Sequence, residues 1–302
     1  MGKAMKILLL GAAGQVGSEC ESILSRSDYE LISVTRRELD FACTGAISAT
    51  IDKYSPDIVV NAIAYTAVDK AESEPELADQ INHLSVEYLA QLCESRHVLL
   101  IHISTDYVFD GAARCPYSED AVTNPQSVYG KSKLLGELAI QSLMSKYIIL
   151  RTSWVFGING NNFVNTMLRL ATERDEVSVV DDQRGCPTYA GNIAEVLLVF
   201  IQRYTSGANI GWGVYHCVGQ GDISWYEFAS AIFDEAYAKN VIKKKPTILP
   251  IPSAAYPTPA TRPMYSVLKT EKLDVFLGRK MTPWQDSLSI FLDHQRVVDN
   301  NV

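Results

Sequence analysis

The sequence predicts an α/β protein: a doubly wound parallel sheet with a smaller α+β lobe towards the C-terminus. Over the first 155 residues, short runs that are apolar throughout alternate with longer helical patterns. Strands of that kind are buried on both faces, which is typical of a parallel sheet covered by helices. A glycine-spaced turn also follows the first apolar run directly and opens a helix. Right-handed crossovers between such strands give a doubly wound sheet.

The individual elements follow from these patterns. The predicted strands are KILLL (6–10), ELISVT (30–35), DIVVNA (57–62), VLLIHIS (98–104) and YIILRT (147–152), joined by helices near 15–26, 44–54, 75–95 and 127–145. Later in the chain we expect a strand at 177–183, a helix at 190–204 and a strand at 214–218. SWYE at 224–227 has the pattern of a capping box, and Thr282-Pro283 opens the last helix.

Composition excludes several classes of protein. The 302 residues are 47% hydrophobic and 21% charged, with a net charge of −8, which disfavours binding to nucleic acid or anionic membranes. No apolar run reaches the roughly 18 residues of a membrane span, and the N-terminal run leads into Glu19 and Glu21 instead of a signal cleavage site. The six cysteines and five histidines are scattered, which disfavours disulfides and zinc. We expect a cytoplasmic protein with reduced thiols.

The turn GAAGQVG (11–17) indicates a dinucleotide site. Its three glycines, Gly11, Gly14 and Gly17, let the chain turn tightly and approach a pyrophosphate at the helix N-terminus, beside Gln15 and Val16. We therefore expect a dinucleotide-binding domain of residues 1–157 plus about 186–222. A nucleotide-sugar lobe would consist of about 158–185 plus 223–302.

The end of the second strand, TRRELD, bears on the choice of cofactor. An acidic residue there suits the ribose hydroxyl of NAD, whereas an arginine suits the 2′-phosphate of NADP. Arg36 and Arg37 favour NADPH, and NADH stays open. Asp40 and Phe41 are predicted to border the adenine.

Two strand ends bring reactive side chains together. In a sheet ordered 3-2-1-4, the fourth strand would end beside the glycine turn, so the Ser-Thr pair of STDYVFDG, with Thr105, would face the ligand crevice. The next predicted helix is some twenty residues away, which makes a capping role for this pair less attractive. Tyr129 and Lys133 lie one turn apart at the start of that helix, on one face.

Spacing alone does not identify this pair, because YSVLK places Tyr265 and Lys269 at the same interval. The second pair lies beyond a proline-rich connection, away from the predicted crevice. Tyr129 and Lys133 are therefore the catalytic candidates.

With the glycine turn and the Tyr-x-x-x-Lys helix, the sequence resembles the extended short-chain dehydrogenase/reductase family, whose dinucleotide domain is a Rossmann fold. The resemblance is strongest to its branch of dTDP-4-keto-sugar reductases. It runs through NAIAYTAVDKAE (61–72), STDYVFDG (104–111), YGKSKLLGE (129–137), RTSWVFG (151–157), DDQRGCPT (181–188) and RPMYSVLKTEKL (262–273).

The resemblance implies roles for individual residues. Thr105, Tyr129 and Lys133 would form the catalytic triad, and Ala62, Ala64 and Tyr65 would border the cofactor. The side chains it implies at the sugar nucleotide are Val68, Thr105, Tyr107 and Trp154. Two further candidates are Gln183, in the segment DDQRGCPT, and Arg262, whose guanidinium can fork onto pyrophosphate oxygens. Trp154 could equally be core, Gln183 and Thr188 could shape the lobe interface, and Arg262 could form a salt bridge between lobes instead of binding pyrophosphate.

The implied reaction reduces dTDP-4-dehydro-6-deoxy-L-mannose to dTDP-L-rhamnose with NAD(P)H. Tyr129 would donate the proton, its pKa lowered by the Lys133 cation and the developing charge on the nicotinamide. Two alternatives stay open: a non-catalytic NADP-binding subunit resembling the methionine adenosyltransferase beta subunit, and a reductase or epimerase of another nucleotide sugar. The residues indicate no metal site. Some relatives dimerise around Mg2+, which leaves a homodimer and Mg2+ as open questions.

Overall fold

The computed structural model describes residues 4–299, which form a central parallel sheet with helices on both faces and a smaller lobe beside it. The strands are β1 Lys6–Leu10, β2 Glu30–Val34, β3 Ile58–Asn61, β4 Leu99–Thr105, β5 Tyr147–Thr152, β6 Val155–Phe156, β7 Glu176–Val180, β8 Arg184–Gly185, β9 Thr188–Tyr189, β10 Gly213–His216, β11 Ile223–Ser224 and β12 Thr247–Ile251. The predicted α/β class is confirmed.

The helices connect these strands in the predicted order. They are α1 Gln15–Leu24, α2 Thr44–Tyr54, α3 Val68–Ala71, α4 Pro75–Asp79, α5 Ser85–Ser95, α6 Val128–Leu143, α7 Phe163–Glu173, α8 Ala190–Thr205, α9 Trp225–Ala238, α10 Glu271–Leu277 and α11 Trp284–Asp299. A π-helical turn, Gln80–Leu84, joins α4 to α5, and short 3-10 turns occupy Asp106–Val108 and Ser253–Ala255. The predicted capping box is present, since the Ser224 hydroxyl and the Glu227 carboxylate bond each other's backbone N–H.

The order of strands in the large sheet differs from the predicted one. It runs β2-β1-β3-β4-β5-β10, all parallel, so β3 lies between β1 and β4. The predicted order 3-2-1-4 is therefore wrong. The chain reverses direction across the sheet after β2, because β3 pairs on the other side of β1. The crevice at this switch point lies between the carboxyl ends of β1 and β3.

Two apolar clusters cover the faces of this sheet. One packs α1 and α8 against β1, β3 and β4 through residues such as Leu9, Val60 and Phe200. The other packs α2, α5 and α6 against the opposite face, with Leu8 and Ile149 at its centre. The strands are buried on both sides, which explains why their sequences are apolar throughout.

A third apolar cluster forms the smaller lobe. Phe156, Phe228 and Phe291 join α7, α9 and α11 to the strand pair of β7 and β12. We propose that the predicted two-domain division follows these clusters. Helix α10 is an exception within the segment given to the lobe, since its Phe276 stacks on Phe200 of the sheet cluster.

Two further features concern the chain as a whole. All six cysteines are free, and four of them are buried. Between residues 4 and 299, no helix combines the length and the apolar character that crossing a lipid bilayer requires.

Candidate active site

The glycine turn wraps the N-terminus of α1 as the sequence predicts. Gly11 has φ +85°, a conformation that L side chains rarely adopt, and Gly14 is the N-cap of α1. A Cβ on Gly17 would lie 2.0 Å from the Gly11 carbonyl oxygen, so only glycine lets the helix pack this closely on the turn. Gly17 therefore shapes the turn, whereas Gly11 and Gly14 line the crevice.

Beside this turn lies a cleft of about 450 Å³. Arg36, Asp40 and Phe41 border it, as predicted for the adenosine end of a cofactor. Arg37 is exposed and does not line the cleft. The nearest carboxylate to the strand end, Glu38, folds back to accept hydrogen bonds from the backbone N–H and hydroxyl of Thr35. That leaves Arg36 as the charged side chain at the tip of β2 that faces the cleft.

A second cleft, of about 530 Å³, continues from the first. The two share Gly14, Ala62, Ala64 and Thr66, so they form one crevice across the β1/β3 switch point. Its lining includes most of the predicted site residues, namely Gln15, Val16, Val68, Thr105, Tyr107, Tyr129, Lys133 and Trp154. Tyr65 lines the first cleft, with its hydroxyl bonded to Glu74 at 2.7 Å. A dinucleotide fits this continuous, glycine-floored crevice.

Thr105 ends β4 inside the second cleft, but its hydroxyl also has a local task. A 3-10 turn begins directly after it, and Thr105 Oγ1 accepts the backbone N–H of Tyr107 at 3.2 Å. The capping role, which the sequence made less attractive, is therefore present, because this turn is too short to show in the helical periodicity. Thr105 Oγ1 also donates to Asp106 Oδ1 at 3.1 Å.

Helix α6 presents Tyr129 and Lys133 to the same cleft. Ser127 caps the helix by accepting the Gly130 N–H at 3.1 Å. A Cβ on Gly130 would lie 2.2 Å from the Tyr107 carbonyl oxygen, so this glycine lets the 3-10 turn rest against the helix. The close approach brings the Tyr129 phenol to Thr105, as predicted.

The pKa of Tyr129 is shifted upwards, whereas the sequence led us to expect a downward shift. Burial raises its pKa to about 12, and the Asp106 carboxylate adds to this. The nearby Thr105 hydroxyl acts in the opposite direction and lowers the pKa. Burial of the phenol thus acts against the lowering expected from Lys133 and the developing nicotinamide charge, and that lowering stays a prediction for the reacting complex.

The Lys133 ammonium is held in the interior. Its Nζ donates to the Ile103 carbonyl oxygen at 2.7 Å and lies 3.0 Å from Nε2 of His102. Burial lowers the pKa of Lys133 to about 8, which the charge of Glu137 opposes. His102 is fully buried, and its pKa is lowered well below its usual value, so it is neutral.

A buried ion pair connects α6 to the central sheet one turn after Lys133. Glu137, one turn after Lys133 on α6, accepts Nη2 of Arg151 on β5 at 2.7 Å, and both side chains are buried. The Arg151 Nε and the Ser104 hydroxyl donate to the same carboxylate. This network ties α6 to β4 and β5 at the level of Thr105.

Trp154 is both a wall of the cleft and part of the lobe core. Its indole lines the cleft and stacks on Trp225, with ring centroids 3.4 Å apart and planes at 5°. Its backbone has φ +46°. A Cβ on Gly185 would lie 2.4 Å from the indole, so this glycine makes room for the ring. The two readings left open for Trp154 are thus compatible.

Two predicted substrate residues do not line either cleft. Gln183 donates to the Ser253 hydroxyl at 2.8 Å, which agrees with the alternative of a lobe-shaping residue. Arg262 pairs with Asp69 at 2.9 Å, as the salt-bridge alternative expects, and its buried Nε has no partner among the described residues. Thr188, in β9, is buried, and its hydroxyl forms hydrogen bonds with backbone groups.

Several contributors were not predicted. Thr66 and Leu39 line the crevice, and both lie within segments that the sequence had already marked. Asn82 bonds both backbone groups of Tyr65 and the Ser132 hydroxyl on α6. Only a structure could reveal Asn82, because its π-helical turn leaves no periodic signal. Within residues 4–299, no cluster of three or more His, Cys, Asp or Glu side chains is arranged to hold a metal ion.

Comparison with known proteins shows the family to which the chain belongs. The sequence model of the RmlD substrate binding domain matches residues 5–297. A dTDP-4-dehydrorhamnose reductase of Aggregatibacter actinomycetemcomitans is 43% identical over 284 residues, which cover 94% of this chain and 97% of that protein.

Solved structures give the same result. A dTDP-4-dehydrorhamnose reductase from Clostridium acetobutylicum superposes with a TM-score of 0.89 at 39% identity, covering 97% of this chain and all of that one. One from Bacillus anthracis in complex with NADP reaches 0.88 at 34% identity, with the same coverage. The chain therefore belongs to the RmlD family, the family of the dTDP-4-dehydrorhamnose reductases.

Proposed function

We propose that this protein reduces the 4-keto group of dTDP-4-dehydro-6-deoxy-L-mannose to give dTDP-L-rhamnose, with NADPH as the preferred hydride donor. The observation that carries the proposal is the convergence of Thr105, Tyr129 and Lys133 on one crevice that continues to the glycine turn. The relatives that share this fold at high identity are named for that reduction.

Each residue of the triad has a role that follows from its surroundings. With a pKa raised to about 12, Tyr129 keeps its proton at neutral pH, so the proton donor starts in the form that reduction needs. When bound, NADPH supplies the hydride for the keto carbon. The forming alkoxide is a stronger base than phenolate, which makes proton transfer from Tyr129 downhill.

The remaining two residues stabilise charge. Thr105 donates to the carbonyl oxygen as negative charge develops there, and to the phenolate afterwards. Lys133, with a pKa of about 8, is mostly cationic at neutral pH and favours the phenolate. Arg36 lines the far end of the crevice and would pair with the 2′-phosphate of a bound NADPH, which supports NADPH over NADH. No step requires a metal ion.

The test measures NADPH oxidation against a panel of 4-keto nucleotide sugars, with the product's C4 configuration read by NMR. Tyr129→Phe should lose nearly all turnover because it removes the proton donor. The matched control is Tyr265→Phe, which alters the other Tyr-x-x-x-Lys pair and should turn over normally. Turnover by Tyr129→Phe at the wild-type rate would refute the assignment.

We also propose a cytoplasmic homodimer. The free cysteines suit a reducing compartment. Three leucines on the π-helical turn and the adjoining α6 are exposed by 41%, 41% and 49%, and exposed apolar side chains suit self-association: Leu84, Leu135 and Leu138. Cell fractionation tests the location. Light scattering tests the dimer, and a monomer at micromolar concentration would exclude it.

A further inference from the structure

The Thr105 hydroxyl has one proton, and two groups compete for it. In the structure, Oγ1 accepts the Tyr107 N–H and donates to Asp106 Oδ1. A hydroxyl whose proton points at a carboxylate cannot donate it to a substrate carbonyl or to the Tyr129 phenolate. The proposed reaction needs that donation. Asp106 must therefore stop accepting the Thr105 proton, or donate a proton to Thr105 Oγ1 itself.

Asp106 is placed where a carboxylate is poorly supported. Only 2% of the residue is exposed, and the second carboxyl oxygen, Oδ2, is buried without a hydrogen-bond partner among the described residues. An unpaired buried carboxylate oxygen is costly, whereas a protonated carboxyl can turn its O–H to the neighbouring acceptor.

The groups that face Asp106 do not offset a negative charge. They are Tyr107 on its own turn, Tyr129 on α6, Cys186 after β8 and Ser266 on the segment before α10. None is a cation. The hydroxyls and backbone N–H groups favour the ionised form, yet burial outweighs them and raises the pKa of Asp106 to about 6.

We propose that Asp106 is a positioning residue that holds a proton and donates it to Thr105 Oγ1, so that the Thr105 proton turns towards the Tyr129 phenol and the carbonyl oxygen. With both lone pairs occupied, by Tyr107 N–H and by the Asp106 carboxyl, Thr105 is left as a donor only. The inference rests on the proposed reduction. Asp106 lines the same cleft as Thr105, and the role assigned to it is to direct the Thr105 proton.

Asp106→Asn tests this directly, because an amide donates to Thr105 at every pH. In the wild type, kcat should fall about tenfold per pH unit once pH rises above the pKa of Asp106, since the acid form is lost. Asp106→Asn should lack that decline while keeping the wild-type rate at low pH. Asp106→Leu fills the space without a donor and should lose kcat about 10²-fold. The KM for NADPH should be unchanged in both variants.

The control is Asp234→Asn, which removes an exposed carboxylate paired with Lys245 and should keep the wild-type pH profile. A pH-dependent decline that persists in Asp106→Asn would overturn the proposal, as would a loss in Asp106→Asn equal to that in Asp106→Leu.

A second readout needs no turnover and so separates this inference from the proposed reaction. The infrared spectrum of the wild-type protein should show a protonated-carboxyl band that titrates near pH 6 and is missing from Asp106→Asn. A spectrum without such a band at pH 5 would overturn the inference even if the reductase activity is found. Inactivity towards every 4-keto sugar, with the band present, would count against the reaction alone.

Discussion

Neutralising Glu137 should destabilise the fold far more than neutralising a surface glutamate in an ion pair of the same length. Glu137 and Arg151 are 0% and 4% exposed, with N–O contact at 2.7 Å. Glu173 and Arg169 have the same contact distance but are 46% and 59% exposed. The two pairs differ in burial, which makes Glu137→Gln and Glu173→Gln a matched comparison.

The expected magnitude follows from what remains after the change. Glu137→Gln leaves the Arg151 charge buried with neutral acceptors alone, namely the introduced amide oxygen and the Glu119 carbonyl oxygen at 3.4 Å. Removing one partner of a buried pair costs about 3–5 kcal/mol, because the other charge stays uncompensated. An exposed pair at i,i+4 contributes about 0.3–0.5 kcal/mol, because water screens it. We therefore expect the loss in the free energy of unfolding to be about tenfold larger for Glu137→Gln than for Glu173→Gln.

The assay is equilibrium unfolding in urea, followed by far-UV circular dichroism and tryptophan fluorescence. The double variant Glu137→Leu with Arg151→Met should regain most of the lost stability, since it leaves no buried charge. The reasoning would be refuted if Glu137→Gln lost less than about 1 kcal/mol, or if the surface variant lost as much.

Two further changes probe the ends of the crevice. Arg36→Ser should raise the KM for NADPH about 10- to 100-fold, as expected from losing a charge-assisted hydrogen bond, and leave NADH turnover unchanged. Arg37→Ser, outside the cleft, should alter neither value in the same steady-state assay, and equal effects of the two would show that Arg36 does not select the cofactor. Gly185→Ala should lower kcat/KM for the sugar about 10- to 100-fold, because the new Cβ would lie 2.4 Å from the Trp154 indole and displace it. Gly45→Ala, whose Cβ meets nothing closer than 4.0 Å, is its control, and sugar kinetics unchanged in Gly185→Ala would exclude the indole from the pocket.

The elements that the sequence predicts well are those with strong periodicity. The strands of the large sheet, the helix with Tyr129 and Lys133 and the glycine turn all carry local signals that burial imposes on composition. Strand order carries no such signal. The position of β3 between β1 and β4 depends on the side of β1 on which the chain places β3 after α2. Tertiary packing decides that placement, and the local sequence does not.

The sequence identified most of the residues that line the crevice, but it did not indicate their electrostatics. A sequence shows that Tyr129 and Lys133 share a helix face, but it does not show how deeply the phenol is buried, and burial decides the direction of its pKa shift. Thr105 and Arg262 illustrate the same limit. Thr105 accepts the Tyr107 N–H only because a single 3-10 turn follows it. Arg262 pairs with Asp69, which lies 193 positions away in the chain.

The π-helical turn at Gln80–Leu84 works as a spacer of fixed length. Asn82 within it holds Tyr65 at the rim of the crevice and Ser132 beside Lys133 at the same time. Deleting one residue to restore an ordinary helix would rotate the amide by roughly 100° and release both. The π-helical turn therefore fixes the position of α6 relative to the rim of the crevice, although none of its own side chains has a proposed catalytic role. We expect this turn to tolerate no change of length.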